Sequence, residues 1–183
     1  YGEILPVARE RVIETPEGTT LRLAGRELLF LDAPGHARHH VAVRDAASGH
    51  IFAGDTFGLS YRELDRDGRQ FSFPTTSPSQ FDPPALHRSI DRMLSFSPGA
   101  LYVTHFGRLT NLTVLAADLH RLIDAHAELG ERYRRAGAER KRLLTEGVSS
   151  IVLAEREQAD ADERQRQLAL EVLLMELDRL NTG

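Results

Sequence analysis

All eight prolines and all eight phenylalanines of this 183-residue chain lie before residue 111. A chain divided in this way cannot be one uniform architecture. Proline is excluded from helix interiors, and aromatic residues favour pleated surface, so residues 1–110 read as short strands broken by turns. Residues 111–183 are rich in Leu, Ala, Glu and Arg and read as helices. The expected organisation is therefore an α/β part over 1–110 followed by an all-helical extension over 111–183.

Within the first part, TLRLAG and RELLFLDA read as two strands with Gly25 in the turn between them. HHVAVRD and HIFAGD read as a hairpin around AASG. FDPPALHRSIDRMLSF reads as a helix with Asp82 as its N-cap and Pro83 in its first turn. Leu86, Ile90, Met93 and Leu94 fall on one face of that helix. GALYVTH follows as another buried strand, and strand, helix, strand in this order predicts a mixed α/β layer. In the second part, helices are expected at about 112–136, 138–157 and 160–181. Leu115, Leu119, Leu122 and His126 recur at helical spacing in the first, and Leu170, Leu173, Leu174, Leu177 and Leu180 in the last. These helices pack on themselves, on the α/β part or on a partner.

Composition narrows the function. Net charge is −4 and no run of Lys and Arg forms a stripe that tracks phosphates, which argues against nucleic acid. The chain has no cysteine, so disulfides, thiolate nucleophiles and cysteine-held zinc are excluded. A metal here must be held by nitrogen and oxygen. No apolar run approaches the roughly 18 residues of a membrane helix and no signal-peptide pattern is visible, so a cytoplasmic, membrane-free setting is the expectation. The opening YGEILPVARERV reads like the interior of a domain, and the chain is expected to be a piece of a longer one.

Three polar residues share one local pattern. His36 follows LLFLDAPG, Asp55 follows HIFAG and His105 follows ALYVT. Each falls just past the end of a predicted strand, where side chains converge on one rim of a sheet. Gly35 and Gly54 directly precede two of them and permit a tight turn and a close backbone approach to a bound group. Two imidazoles and a carboxylate suit Zn²⁺, iron or manganese, and a carboxylate can bridge two ions. Taken singly, each is as readily a hydrogen-bonded turn residue.

In order and together, the three segments resemble the metallo-β-lactamase-fold hydrolases. DAPGHARHH resembles the TPGH segment that supplies a histidine to the first metal. IFAGDTFG resembles the strand end that supplies the bridging aspartate, and LYVTHFG the late strand whose histidine binds the second metal. TTSPSQFDPPALHRSIDRML is similar to the helix-bearing connection of glyoxalase-II-like members. The resemblance covers residues 1–110 and only the second half of an αβ/βα sandwich. The family's H-x-H-x-D-H signature, which supplies four further ligands, is not found in this sequence, and HARHH lacks its spacing and its aspartate.

The resemblance implies a metal-dependent hydrolase acting on an ester, thioester, lactone, amide or phosphoester of a small molecule. Two divalent ions would be held, zinc by default and iron or manganese as alternatives. His36, Asp55 and His105 would be ligands, Asp55 would also orient the metal-bound hydroxide, and His40 would support His36 through a hydrogen bond. The missing half of the domain, in cis or as a separate chain, would complete the site, and this chain alone would be a poor catalyst. Phe57, Phe106 and Phe81 are candidates for the substrate wall, against the alternative that they are core. Arg62, Arg66 and Arg69 read as a solvated face, with contact to an anionic group as the alternative. His50, His87, His120 and His126 read as surface or core residues. The rival reading is a non-catalytic interaction module, or homodimer, acting through the C-terminal helices.

Overall fold

A computed structural model describes residues 5–65, 70–75 and 80–157. Among these, six strands form one sheet whose spatial order equals the chain order: β1 (Thr20–Leu23), β2 (Arg26–Asp32), β3 (Val41–Asp45), β4 (Ile51–Gly54), β5 (Leu101–Val103) and β6 (Gly107–Leu109). Neighbours pair antiparallel except β4 with β5, which run parallel. A parallel pair needs a crossover, and that connection carries helix α1 (Pro83–Leu94). Helices α2 (Leu112–Arg132) and α3 (Arg140–Glu157) follow. The mixed α/β architecture and the C-terminal helices match the sequence expectation. The third expected helix, with its leucine repeat at 170–180, lies outside the described residues.

Alternation along the strands sorts the side chains onto two faces. Leu31, Ala42, Ile51, Leu101 and Leu109 point to the side covered by helices. There they meet Leu86, Ile90 and Met93 of α1 and Leu112, Leu115, Ala116, Leu119 and Ile123 of α2. On the opposite face, Phe30 pairs with Val43, Val43 with Phe52 and Phe52 with Tyr102. That row of apolar side chains crosses four strands, and its Phe52 remains 49% exposed while stacking on Tyr102.

Helix α2 belongs to the same core as the sheet. Its other flank supplies Leu122 and Leu129 to a second cluster with Leu144, Val148 and Val152 of α3 and with Leu59, Leu64 and Phe73 of the long connection. The helical region therefore packs on the α/β part. Among the described residues no helix is long and apolar enough to cross a membrane.

Helix α1 is fixed at its start. The Asp82 carboxylate accepts from Ala85 N–H at 3.0 Å, with Pro83 and Pro84 in the first turn. The Asp82 N–H donates to Gly35 O at 2.8 Å, and the Ser89 hydroxyl donates to Pro34 O at 2.7 Å. Gly35 has φ +128°, and a Cβ there would lie 2.3 Å from the Leu86 Cα. The group that approaches this glycine is thus the backbone of α1 and not a ligand, which corrects the sequence reading.

Two outcomes are expected. Gly35→Ala meets both backbone strain and an immovable helix, and should lower unfolding stability in urea by about 3 kcal/mol. The second concerns Asp45, whose carboxylate accepts from the Arg26 guanidinium, the Ser48 hydroxyl at 2.6 Å and Ala47 N–H at 3.1 Å. Arg26 first and Ser48 next hold the Asp45 carboxyl far below the usual carboxylate range. A depressed acid stabilises the fold fully above its unfolded value of about 4, and that contribution fades as pH falls through its folded value. Asp45→Asn should therefore lower Tm at pH 7 and flatten the decline of Tm below pH 4, as read by circular dichroism.

Candidate metal centre

The three strand-end residues meet at one rim of the sheet. After β2, the chain turns back on itself, with the Ala33 N–H donating to His40 O at 2.9 Å, and this turn carries His36. Asp55 follows β4 directly and His105 lies two residues beyond β5. Because β4 and β5 run parallel, both ends face the same way. The Thr104 N–H extends their pairing to Gly54 O at 3.1 Å.

Asp55 stands between the two histidines with one oxygen toward each. His36 Nε2 lies 3.6 Å from Asp55 Oδ2, and His105 Nε2 lies 3.6 Å from Asp55 Oδ1. These separations are too long for hydrogen bonds. Two ligands each about 2.0–2.2 Å from one ion lie roughly 3.0–3.6 Å apart, so the spacing suits a shared cation. Asp55 Oδ1 is buried and finds no hydrogen-bond partner among the described residues. A buried carboxylate oxygen without a partner costs on the order of 1–3 kcal/mol or more, which a cation would offset. Among the described residues no three ligating side chains close on a single point. The arrangement is instead two His–Asp pairs sharing one carboxylate.

Hydrogen bonding fixes two of the three imidazoles around Asp55, those of His36 and His40. The Thr75 hydroxyl donates to Asp55 O at 2.9 Å, so its oxygen can only accept from His36 Nδ1–H, also at 2.9 Å, and the Thr75 carbonyl oxygen accepts from the same N–H at 3.3 Å. With the proton on Nδ1, the lone pair of neutral His36 sits on Nε2, facing Asp55. Thr75 lies in the proline-punctuated connection, and nothing in its local sequence singles it out.

The expected hydrogen bond from His40 to His36 does not form, since the two rings meet edge to face at 5.8 Å. His40 supports Asp55 instead. Its Nε2 accepts the Asp55 N–H at 3.0 Å, which places its proton on Nδ1. That Nδ1–H donates to Thr56 Oγ1 at 3.0 Å, and the Thr56 hydroxyl donates to Ala33 O at 3.1 Å. Burial, and then the neighbouring His36, push the His40 pKa down and favour this neutral form. Gly54 has φ +56°, and a Cβ there would lie 2.5 Å from the His40 ring. The second glycine therefore makes room for this histidine. His39 is exposed.

The aromatic candidates separate. Phe57 is fully buried in the core and presents nothing to a ligand, which corrects its assignment to the substrate wall. Phe81 packs, partly buried, against the same core. Phe106 follows His105, holds φ +73°, is 54% exposed and lies against Tyr61 with ring centroids 5.1 Å apart. The Arg62 guanidinium donates to Phe106 O at 3.1 Å and to Ser60 Oγ at 3.0 Å, so this arginine ties down the turn. Arg66 and Arg69 lie outside the described residues. His50 tilts against Tyr102, and half-buried His126 donates Nδ1–H to Leu122 O at 2.7 Å within its own helix.

No protein-family profile matches the chain, and no curated protein matches its sequence. Solved structures do match it. An archaeal metallo-β-lactamase superfamily protein from Sulfolobus tokodaii is similar over 66% of this chain and 43% of its own, with 24% identity and a TM-score of 0.52. A β-lactamase domain protein from Burkholderia ambifaria is similar over 96% of this chain and 48% of its own, with 20% identity and a TM-score of 0.50. The second likeness takes in the helical region, and the chain spans less than half the length of either protein. The sheet, its crossover helix and the helices that follow are therefore built on the metallo-β-lactamase fold.

Proposed function

We propose that this chain supplies His36, Asp55 and His105 to a dinuclear metal-dependent hydrolase, with Asp55 as the bridge. The observation that carries the reading is the buried, unpartnered Asp55 Oδ1 held between two histidines, one facing each oxygen of the carboxylate. The donor set is nitrogen and oxygen, as zinc, iron or manganese require, and zinc is the default. When bound, the ions supply Lewis acidity for activating water and for polarising an ester, thioester, lactone, amide or phosphoester. Thr75 holds the His36 ring with Nε2 free, and His40 fixes the backbone from which the Asp55 carboxylate projects. The exposed Phe106 ring beside His105 offers an apolar surface to a small-molecule substrate.

Each ion would receive only two side chains from this chain. The remaining ligands are proposed to come from polypeptide outside it, in cis or in trans. The apolar row Phe30, Val43, Phe52 and Tyr102, on the face of the sheet opposite the described helices α1 and α2, supports this, because a second layer would bury it. The chain alone is then a weak binder and a poor catalyst.

Four linked outcomes test the reading, using metal analysis by mass spectrometry and hydrolysis of a thioester, lactone and phosphoester panel. The complete protein should hold two ions, and Asp55→Asn should lower both metal content and turnover, the latter by at least about 10³-fold. His36→Gln and His105→Gln should each cost one ion preferentially. Two ions retained in Asp55→Asn would remove the bridge and with it the proposal. Thr75→Val should weaken metal binding by roughly 10-fold while Thr75→Ser preserves it, because the hydroxyl is the nearer of the two Thr75 acceptors that orient the His36 ring. Full turnover by the 183-residue chain alone would refute the need for outside ligands.

A further inference from the structure

A second cluster of ligating side chains lies on the solvent edge where α1 meets α2. The two helices carry the same five-residue pattern, His87-Arg-Ser-Ile-Asp91 and His120-Arg-Leu-Ile-Asp124. They are placed so that the hydrogen bonds cross. His87 Nε2–H donates to Asp124 Oδ1 at 2.9 Å, and His120 Nε2–H donates to Asp91 Oδ1 at 3.1 Å. The two ring planes are inclined by 23° with centroids 4.8 Å apart, and their Nδ1 atoms face each other edge to edge at 2.5 Å.

Counting protons makes this arrangement informative. Each neutral imidazole has one N–H, and here both are committed to carboxylates through Nε2. With both rings neutral, the two Nδ1 atoms are lone pairs directed at one another, a repulsive contact that a shared cation relieves, either one added proton or a metal ion. Two aspartates backing the pair supply compensating negative charge. We propose that His87 and His120 form a separate binding site for a transition-metal cation such as Zn²⁺ or Ni²⁺, held by the two Nδ1 atoms across the α1–α2 contact.

The order carboxylate, imidazole, metal is how ligating histidines are commonly oriented, with the far N–H fixed by an acid. Imidazole nitrogen selects zinc, nickel or copper over calcium or magnesium, which take oxygen. Two nitrogens on one tetrahedral ion stand about 3.3 Å apart, so the rings must part by a little under 1 Å. Their side chains are 25% and 28% exposed, which leaves room for that rotation and for water in the remaining positions. A proton competes for the same lone pairs. The site shares no residue with the His36, Asp55 and His105 centre, and the inference does not rest on that reading.

The test uses the full chain stripped with chelator, ¹⁵N-labelled, and titrated with Zn²⁺ while long-range ¹H–¹⁵N spectra report each imidazole. The wild type and the His36→Gln/His105→Gln variant should both show two Nδ1 resonances moving with zinc. Those two resonances should vanish in His87→Gln and His120→Gln respectively. The doubly substituted His87→Gln/His120→Gln chain should bind one ion fewer by Ni²⁺ calorimetry. Asp91→Asn/Asp124→Asn keeps both nitrogens and should weaken the site about 10-fold or more. Saturating metal should raise Tm by roughly 5–10 °C through this crosslink in the His36→Gln/His105→Gln background. Zinc responses confined to His36 and His105, or an unchanged ion count in His87→Gln/His120→Gln, would overturn the proposal.

Discussion

The close approach of α1 to the Pro34–Gly35 turn is the constraint on which the arrangement rests. A helix backbone can reach a loop backbone this nearly only where no Cβ intervenes, and Gly35 provides that clearance. The contact does two things at once. It seats α1 on the sheet, through Asp82 N–H and Ser89 Oγ, and it clamps the turn that presents His36. Core burial by Leu86, Ile90 and Met93 adds roughly 2 kcal/mol for each side chain and holds the clamp shut. Packing and ligand placement are therefore one event in this part of the molecule.

Around Asp55 the same economy appears in hydrogen bonds. Two threonines, Thr75 and Thr56, each spend their single proton on a backbone carbonyl and so can only accept from a histidine. That fixes His36 and His40 in the Nδ1–H form without any charged partner. In His36 the bare nitrogen faces the carboxylate. In His40 it receives the Asp55 backbone N–H. One tautomer thus serves two purposes, decided by what lies opposite Nε2.

Much of this was legible in the chain because its signals are local. Strand ends, the Asp82-Pro83 helix start and the polar residue after each strand are short-range patterns, and the structure places His36, Asp55 and His105 together as their order implied. What was not legible depends on distant partners. Gly35 and Gly54 announce a close approach but not that Leu86 and His40 make it. Phe57 and Phe106 look alike beside their site residues, yet one is sealed in the core and the other stands at a left-handed turn. Thr75 has no pattern of its own. The crossed His–Asp pairs lie in segments that share four of five letters 33 residues apart, and only the packing of α1 on α2 gives that repeat a meaning. The boundary drawn at residue 111 marks a change of composition, whereas α2 shares its core with the sheet.

The parallel pairing of β4 with β5 has a further consequence for how the rim is assembled. β1 to β4 form one meander and β5 with β6 another, and this pair is the seam between them. The seam is also irregular, since the register shifts between Phe52 and Gly54. Ala53 is thus a residue of slack on the strand that ends in Asp55, and it sets that carboxylate back by about 3.3 Å against the strand that ends near His105. The offset between Asp55 and His105 is consequently gauged by strand register, a quantity fixed in whole residues. A slip at this seam would leave every strand intact while sliding one jaw of the metal centre past the other.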